Sequence, residues 1–292
     1  MLNDSIRYQN ETLYCDSVSV SEIAAQVGTP AYIYSLPRAL ANLRRIQTAF
    51  TGIETHLHYS AKANANLAVL GALAQAGAGV DAVSGGEIYR ALRAGTPPEN
   101  IVYAGVGKTP AELHYALEQG VGWFNVENVA ELRWLNDLAA QIGRSPRVAL
   151  RLNPDITANT HPSIATGHGG AKFGLPVDTV RELLAHQTDY PHLNFAGIHI
   201  HIGSQLHDTQ ATQTAVEIAL ETIAPYDQMR TVNIGGGIPA AYTSAETLPT
   251  IEDFAAALKP LLTGYSVLLE PGRSIIADAG LLVIQVLYIK QQ

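Results

Sequence analysis

The stretch His58-Tyr59-Ser60-Ala61-Lys62-Ala63-Asn64 decides the fold, because it closes an apolar, strand-like run on a lysine set among small residues. Three stretches downstream are built alike: Gly197-Ile198-His199-Ile200-His201-Ile202-Gly203-Ser204-Gln205, then Gly235-Gly236-Gly237, then Glu270-Pro271-Gly272-Arg273. Each stands where a strand-like run stops and a helix-like run begins. An amine, a flat ring, a turn without side chains and a carboxylate thus stand at the same point of four such units.

The units can be counted. Apolar, β-branched runs predict strands at Thr55–Ser60, Val80–Ser84, Ile101–Ala104, Gly122–Val126, Arg147–Asn153, Phe195–His201, Thr231–Ile234 and Ser266–Glu270. Between them, 3.6-residue patterns predict helices that include Leu67–Ala76, Gly86–Ala94, Pro110–Gln119, Val129–Ile142, Val177–Ala185 and Ile251–Leu261. Thr109 ahead of Pro110 and Asp178 in a first turn are suitable start signals. From Lys62 to Glu270 there is room for seven units of about 30 residues, the size of one βα repeat. Eight strands without polar alternation, each followed by a helix, predict an α/β fold, a closed parallel (β/α)8 TIM-type barrel. That fold puts chemistry at the C-terminal ends of its strands. Lys62, His201, Gly235–Gly237 and Glu270 fall there, on the first, sixth, seventh and eighth strands.

Two pieces lie outside the barrel. Residues 1–35, with Tyr14, Val18-Ser19-Val20 and Ala31-Tyr32-Ile33-Tyr34, read as short strands that precede it. Leu281 to Ile289 reads as a strand that leaves it, so the expected division is 1–35, a barrel over 36–279, and 280–292 as the start of a second, β-rich domain cut short.

Bulk properties fit this reading. A chain of 292 residues can bury roughly three quarters of its unfolded surface in one large barrel. It is 47% hydrophobic and 15% charged, ordinary values for a globular protein. A net charge of −8 argues against a nucleic-acid partner, which calls for a basic stripe. The single cysteine, Cys15, leaves no intrachain disulfide and suits a reducing, cytoplasmic setting. The first residues lack the order of a signal peptide, and the apolar run Ala279–Ile289 is too short to span a membrane.

Each candidate residue has a plainer explanation beside the chemical one. Lys62 could cap a strand end in solvent, but small neighbours at a barrel mouth favour a partly buried, nucleophilic amine able to condense with an aldehyde. His199 and His201, two apart on one strand, face the same way. They could be packed in the interior, could bind a metal with His56 and His58, or could lie against a ring with Ser204 donating to a phosphate. Gly235–Gly237 could be a flexible turn; without side chains it also lets backbone N–H groups approach an anion, where barrels often bind phosphate. Glu270 could pair internally with Arg273. It could instead hold a pyridine nitrogen and make the ring an electron sink, with Arg273 forking a phosphate or a substrate carboxylate. Asp81, Ser84, Glu87, Arg151 and Lys172 also gather near predicted strand ends, and Asp81 and Glu87 could tune Lys62. The glycine-rich stretch 161–170 could be a lid or a surface loop.

The chain resembles the fold-type III pyridoxal-phosphate decarboxylases, and among them those that act on diaminopimelate. The resemblance runs from Tyr32 to Tyr288. It is carried by YSAKANANLAVL from Tyr59, DAVSGGEIYRALRAG from Asp81, VYAGVGKTPAEL from Val102, FNVENVAEL from Phe124, LRLNPDI from Leu150, THPSIATG from Thr160, KFGLP from Lys172, GIHIHIGSQ from Gly197, NIGGG from Asn233 and EPGR from Glu270. It implies pyridoxal 5'-phosphate as cofactor, joined to Lys62, with His201 stacked on the ring and Asp81 beside it. It further implies Ser204, Gly235, Gly236, Gly237, Pro271 and Gly272 around the phosphate, Glu270 at the pyridine nitrogen, and Arg273 on the phosphate or the substrate carboxylate. The implied reaction removes CO₂ from the D-configured centre of meso-2,6-diaminopimelate to give L-lysine, in a homodimer that takes a small amino acid. Other members act on ornithine, arginine or carboxynorspermidine. The family's C-terminal Cys-Glu motif and tyrosine have no counterpart in these residues, so the chain as given is expected to be inactive alone. From another class, the two His-x-His pairs would suit a metal-dependent amidohydrolase barrel, although strand eight ends in Glu270-Pro271-Gly272-Arg273 and that reading leaves Gly235–Gly237 without a role.

Overall fold

The computed structural model describes residues 2–161, 164–243 and 245–291. Four short strands come first: β1 (Ile6–Gln9), β2 (Thr12–Cys15), β3 (Val18–Ser19) and β4 (Ala31–Tyr34). Eight strands then close a ring: β5 (Thr55–Ser60), β6 (Gly79–Ala82), β7 (Ile101–Tyr103), β8 (Trp123–Val126), β9 (Arg147–Asn153), and, after the two-residue β10 (Leu175–Pro176) at its edge, β11 (Asn194–Ile200), β12 (Thr231–Asn233) and β13 (Ser266–Leu269). Every neighbouring pair around the ring is parallel, and β13 pairs with β5 to complete it. The expected (β/α)8 barrel is present, with each of the eight strands inside or within one or two residues of its predicted bounds.

Strand periodicity explains what fills the barrel. Tyr59, Val80, Phe124, Val148, Leu150, Ile198, Val232, Val267 and Leu269 join the large apolar cluster shared with the surrounding helices. Residues between them point inward. Trp123, Ala149 and Leu268 form, with Val102, a separate apolar plug. Two residues further along, at Asn125, Arg151 and Glu270, the inward positions turn polar, and Asp81, His199 and Asn233 join them from neighbouring strands; all six are buried. An apolar floor below a polar layer is a barrel closed at one end and chemically equipped at the other.

Helices start where the sequence caps them. Thr109 and Glu112 form a reciprocal capping box at Pro110–Gln119, and Asn128 accepts from Glu131 N at Val129–Ile142. Val177–Ala185 also keeps its predicted bounds. Helices Leu36–Ala49 and Gln210–Ile223 add to the expected set.

Outside the barrel, β1 to β3 make an antiparallel sheet, and β14 (Gly280–Val283) pairs antiparallel with β4. Ile6, Cys15 and Val20 pack there with Leu13, Ile33, Leu281 and Val283. Two expectations are corrected. Val20 opens a helix, Val20–Val27, because Ser19 caps it by accepting from Glu22 N. The strand expected over Leu281–Ile289 stops at Val283, opposite Ala31. Pro30 precedes Ala31 and has no N–H to extend the ladder. Past that point Ile284, Val286, Leu287, Tyr288 and Ile289 are exposed. No helix among the described residues is long and apolar enough to cross a membrane.

Candidate active site

Lys62 leaves β5 in one 3-10 turn, Ala61–Ala63, which turns its side chain over the C-terminal rim. Its Nζ donates to Asp81 Oδ2 at 3.2 Å, and Ser60 Oγ donates to the same oxygen at 2.5 Å. Asp81 is wholly buried and its Oδ1 has no partner among the described residues. Burial raises the Asp81 carboxyl above its ordinary range even beside a cation. The Asp81 charge is the chief cause that raises Lys62, with Glu270 adding to it and burial and Arg151 opposing. The resting amine is therefore an ammonium ion held by one carboxylate.

Glu270 lies past the end of β13. Asn125 and Asn233 both donate to its Oε1, at 2.9 and 2.6 Å, and His199 Nε2 lies 3.4 Å from Oε2. Burial alone would push this carboxyl up, but His199, Lys62 and the Asn233 bond outweigh it and hold Glu270 well below the usual range. It is an anion inside the barrel, as a partner for a cationic ring nitrogen must be.

His201 follows β11, and its Nδ1 accepts from Gly236 N at 3.2 Å. Burial, Arg151 and Lys62 keep the imidazole well below its usual range, so the ring is neutral. The glycine turn beside it has no room for side chains. A Cβ on Gly235 would lie 2.7 Å from His201 Nδ1, one on Gly236 2.6 Å from the Glu270 carbonyl oxygen, and one on Gly237 2.7 Å from Leu206 Cδ1. Gly235 and Gly237 also have φ of 66° and 94°, in the left-handed region that glycine tolerates. Arg273 donates from Nε to Ser204 Oγ at 3.4 Å and from Nη1 to the Tyr242 hydroxyl.

One cavity of about 270 Å³ is lined by Lys62, His201, Ser204, Gly236, Gly237, Glu270, Pro271, Gly272 and Arg273. Of the residues predicted for the site, Gly235 lies under this wall and Asp81 behind Lys62. The internal Glu270–Arg273 pair is replaced by the asparagine and Tyr242 bonds. Ser84 and Glu87 serve locally: Ser84 caps a helix, and Glu87 accepts from Val83 N at 2.8 Å. Lys172 is exposed, its Nζ 5.3 Å over the Phe173 ring. In the 161–170 stretch, Pro162 and Ser163 lie outside the described residues; Thr166 Oγ1 donates to the His201 carbonyl at 2.8 Å and Ala165 bridges Gly203. His56 is exposed beside Glu54, at the other end of β5 from Lys62, and no group of three His, Cys, Asp or Glu able to hold a metal occurs among the described residues. Sequence reasoning missed Ser60, Asn125, Asn233 and Tyr242 as parts of the site. The two asparagines stand inside the motifs FNVEN and NIGGG, which was the available signal.

A mouth with one amine, a neutral ring, a cramped glycine turn and a fixed carboxylate suits a flat aldehyde that carries an anionic arm. Known proteins point the same way. Residues 38–277 match the family described as pyridoxal-dependent decarboxylase, pyridoxal binding domain, and the chain belongs to that family. It is 39% identical to a diaminopimelate decarboxylase of Zymomonas mobilis over 97% of this chain and 70% of that protein. The crystal structure of diaminopimelate decarboxylase from Helicobacter pylori complexed with L-lysine is 36% identical, with a TM-score of 0.88 over 93% of this chain and 70% of that one. The Methanocaldococcus jannaschii enzyme of the same name is 34% identical, with a TM-score of 0.91 over 99% of this chain and 71% of that one. The residues present fit the family's cofactor: the glycine turn packs too closely on His201, Glu270 and Leu206 to carry any Cβ and so offers bare backbone to an anion, and Glu270 is a buried anion that suits a cationic ring nitrogen.

Proposed function

We propose that this chain binds pyridoxal 5'-phosphate in the 270 Å³ cavity and serves the decarboxylation of meso-2,6-diaminopimelate to L-lysine. The convergence of Lys62 Nζ, His201, Glu270 and the glycine cradle on one cavity carries the reading. Asp81 holds Lys62 Nζ at 3.2 Å and can take its proton, which leaves a neutral amine facing the cavity. Gly235, Gly236, Gly237, Ser204, Pro271, Gly272 and Arg273 would receive the phosphate. His201 would lie against the ring, neutral and fixed through Gly236 N. Glu270 would hold the ring nitrogen in its protonated form. Bound there, the cofactor supplies an electron sink for the pair left behind when a carboxylate departs as CO₂. Arg273, whose Nε and Nη1 meet Ser204 and Tyr242, can also grip a substrate carboxylate through its remaining N–H groups.

The identities with diaminopimelate decarboxylases of known structure support the substrate, a small amino acid. We further propose a cytoplasmic homodimer in which residues 1–35 and 280–292 form a β unit apart from the barrel of 36–279. The test is CO₂ release from meso-diaminopimelate, ornithine and arginine, assayed on the full native chain loaded with pyridoxal phosphate. Preference for meso-diaminopimelate is expected. Faster release from ornithine or arginine would overturn the substrate assignment.

A further inference from the structure

Away from the cavity, the barrel's most deeply buried charges are joined end to end. Lys108 Nζ donates to Glu131 Oε1 at 2.7 Å and to the carbonyls of Gly105 and Asn125. The second oxygen of Glu131 accepts from Glu127 N at 3.0 Å. Glu127 holds Arg151 Nη1 at 2.5 Å with one oxygen and Gly174 N at 2.9 Å with the other. Arg151 Nη2 reaches the His201 carbonyl at 3.4 Å, and its guanidinium lies 4.7 Å over the Phe173 ring. The Arg151 and Glu127 side chains are 6% and 1% exposed.

Stability does not explain such a pair, because an apolar pair of the same volume is commonly as stable or more so. What the pair does achieve is register. It ties the end of β8 to the end of β9, to the foot of the long segment after β9, and to the carbonyl of His201.

We propose that Glu127 and Arg151 form a positioning pair for the reaction: Glu127 fixes the Arg151 guanidinium between His201 and Phe173, and Arg151 holds the His201 turn and offsets the carboxylates around Lys62. The inference rests on the reading of Lys62 as the reactive amine. The groups that face Lys62 are Asp81 from β6, Glu87 from the helix after β6, Arg151 from β9, His201 after β11, and Glu270 and Arg273 after β13. Arg151 and Arg273 are the only cations in that set, and Arg151 is the deeply buried one.

The test uses the protein without cofactor. Trace acetylation of Lys62 over a pH series, quantified by peptide mass spectrometry, reads the fraction of neutral amine. Arg151→Met removes a cation that disfavours the ammonium form, so labelling at fixed pH should fall, by about tenfold for a charge that Glu127 partly masks. Glu127→Gln keeps the shape and unmasks Arg151, so labelling should rise. Arg151→Lys keeps the charge but loses the fork; labelling should stay near wild type while backbone amides of residues 201–204 exchange faster. A purely structural role would move the two charge variants the same way. Shifts of the same sign, or no shift in Glu127→Gln, would overturn the proposal. If Arg151→Met does not fold, the proposal stands or falls on the rise in Glu127→Gln and its absence in Arg151→Lys. Reductive trapping of pyridoxal phosphate on a different lysine would overturn the reading of Lys62 and leave the cofactor-free charge measurement intact.

Discussion

Two lysines of this barrel look alike in sequence and differ in everything chemical. Lys62 follows β5 in Tyr59-Ser60-Ala61, and Lys108 follows β7 in Ala104-Gly105-Val106-Gly107. Both meet a carboxylate. Lys108 has all three ammonium protons committed, to Glu131 and two carbonyls, and its side chain is 1% exposed. Among the described residues Lys62 has one side-chain bond, to Asp81, and its side chain is 52% exposed at the cavity. A cation whose donors are all used is a structural strut. One with donors to spare, beside a carboxyl able to take its proton, is what the proposed function asks of a reactive amine.

The largest test of this distinction is Lys108→Met. It leaves Glu131 buried without its cation, and removing one partner of a buried pair costs about 3–5 kcal/mol. Urea unfolding should show that loss, and Lys108→Met with Glu131→Met should recover most of it. A loss below about 1 kcal/mol would place Lys108 with ordinary surface pairs.

His58 extends the contrast to a buried group with an unpartnered nitrogen. It is 5% exposed, Nδ1 has no partner among the described residues, and burial lowers its pKa to about 4 from 6.5. The unfolded chain takes up this proton near pH 6.5, whereas the folded chain resists until about pH 4. Stability should therefore fall by about 3 kcal/mol as pH drops through that window. Urea midpoints at either end should differ accordingly, and His58→Asn should flatten the slope. An unchanged slope in the variant would assign the effect elsewhere.

Crowding at the cradle gives the next effect. Gly236→Ala sets a Cβ 2.6 Å from a backbone oxygen. Overpacking of this kind costs about 1–3 kcal/mol, so pyridoxal phosphate should bind about tenfold or more weakly in an absorbance titration. Unchanged affinity would mean that the glycines are a turn and nothing more.

The smallest effect belongs to a pair at the surface. Arg45 holds Glu252 at 2.6 Å, with side chains 55% and 54% exposed, and the Arg45 bond lowers Glu252 to about 2 from 4.5. Its contribution is present above pH 4.5 and lost as pH falls toward 2. Solvent screening limits it to about 0.5 kcal/mol, so Glu252→Gln should barely move the urea midpoint at neutral pH.

The barrel was legible because each of its strands is covered by helices on one side and filled by inward residues on the other. Apolar runs therefore mark strand bounds within a residue or two. That Lys62, His201, the glycine turn and Glu270 meet at one mouth was legible because a barrel brings the C-terminal ends of its strands together. The supports were not. Asn125 and Asn233 sit inside predicted strands, but a strand alone does not say what they meet until the ring closes and both reach Glu270 from strands far apart in the chain. The extent of β14 was misread for a related reason: hydrophobicity continues to Ile289, but a strand needs a partner, and the pairing with β4 ends at Ala31. Strand-end position by itself does not separate Lys62 from Lys108, since the number of committed donors is a tertiary property.

The most direct measurement is to incubate the protein with pyridoxal phosphate, reduce with borohydride, and map the modified peptides by mass spectrometry. The account predicts label on Lys62 and none on Lys108. Label on Lys108, or a folded protein that takes none on Lys62, would contradict it.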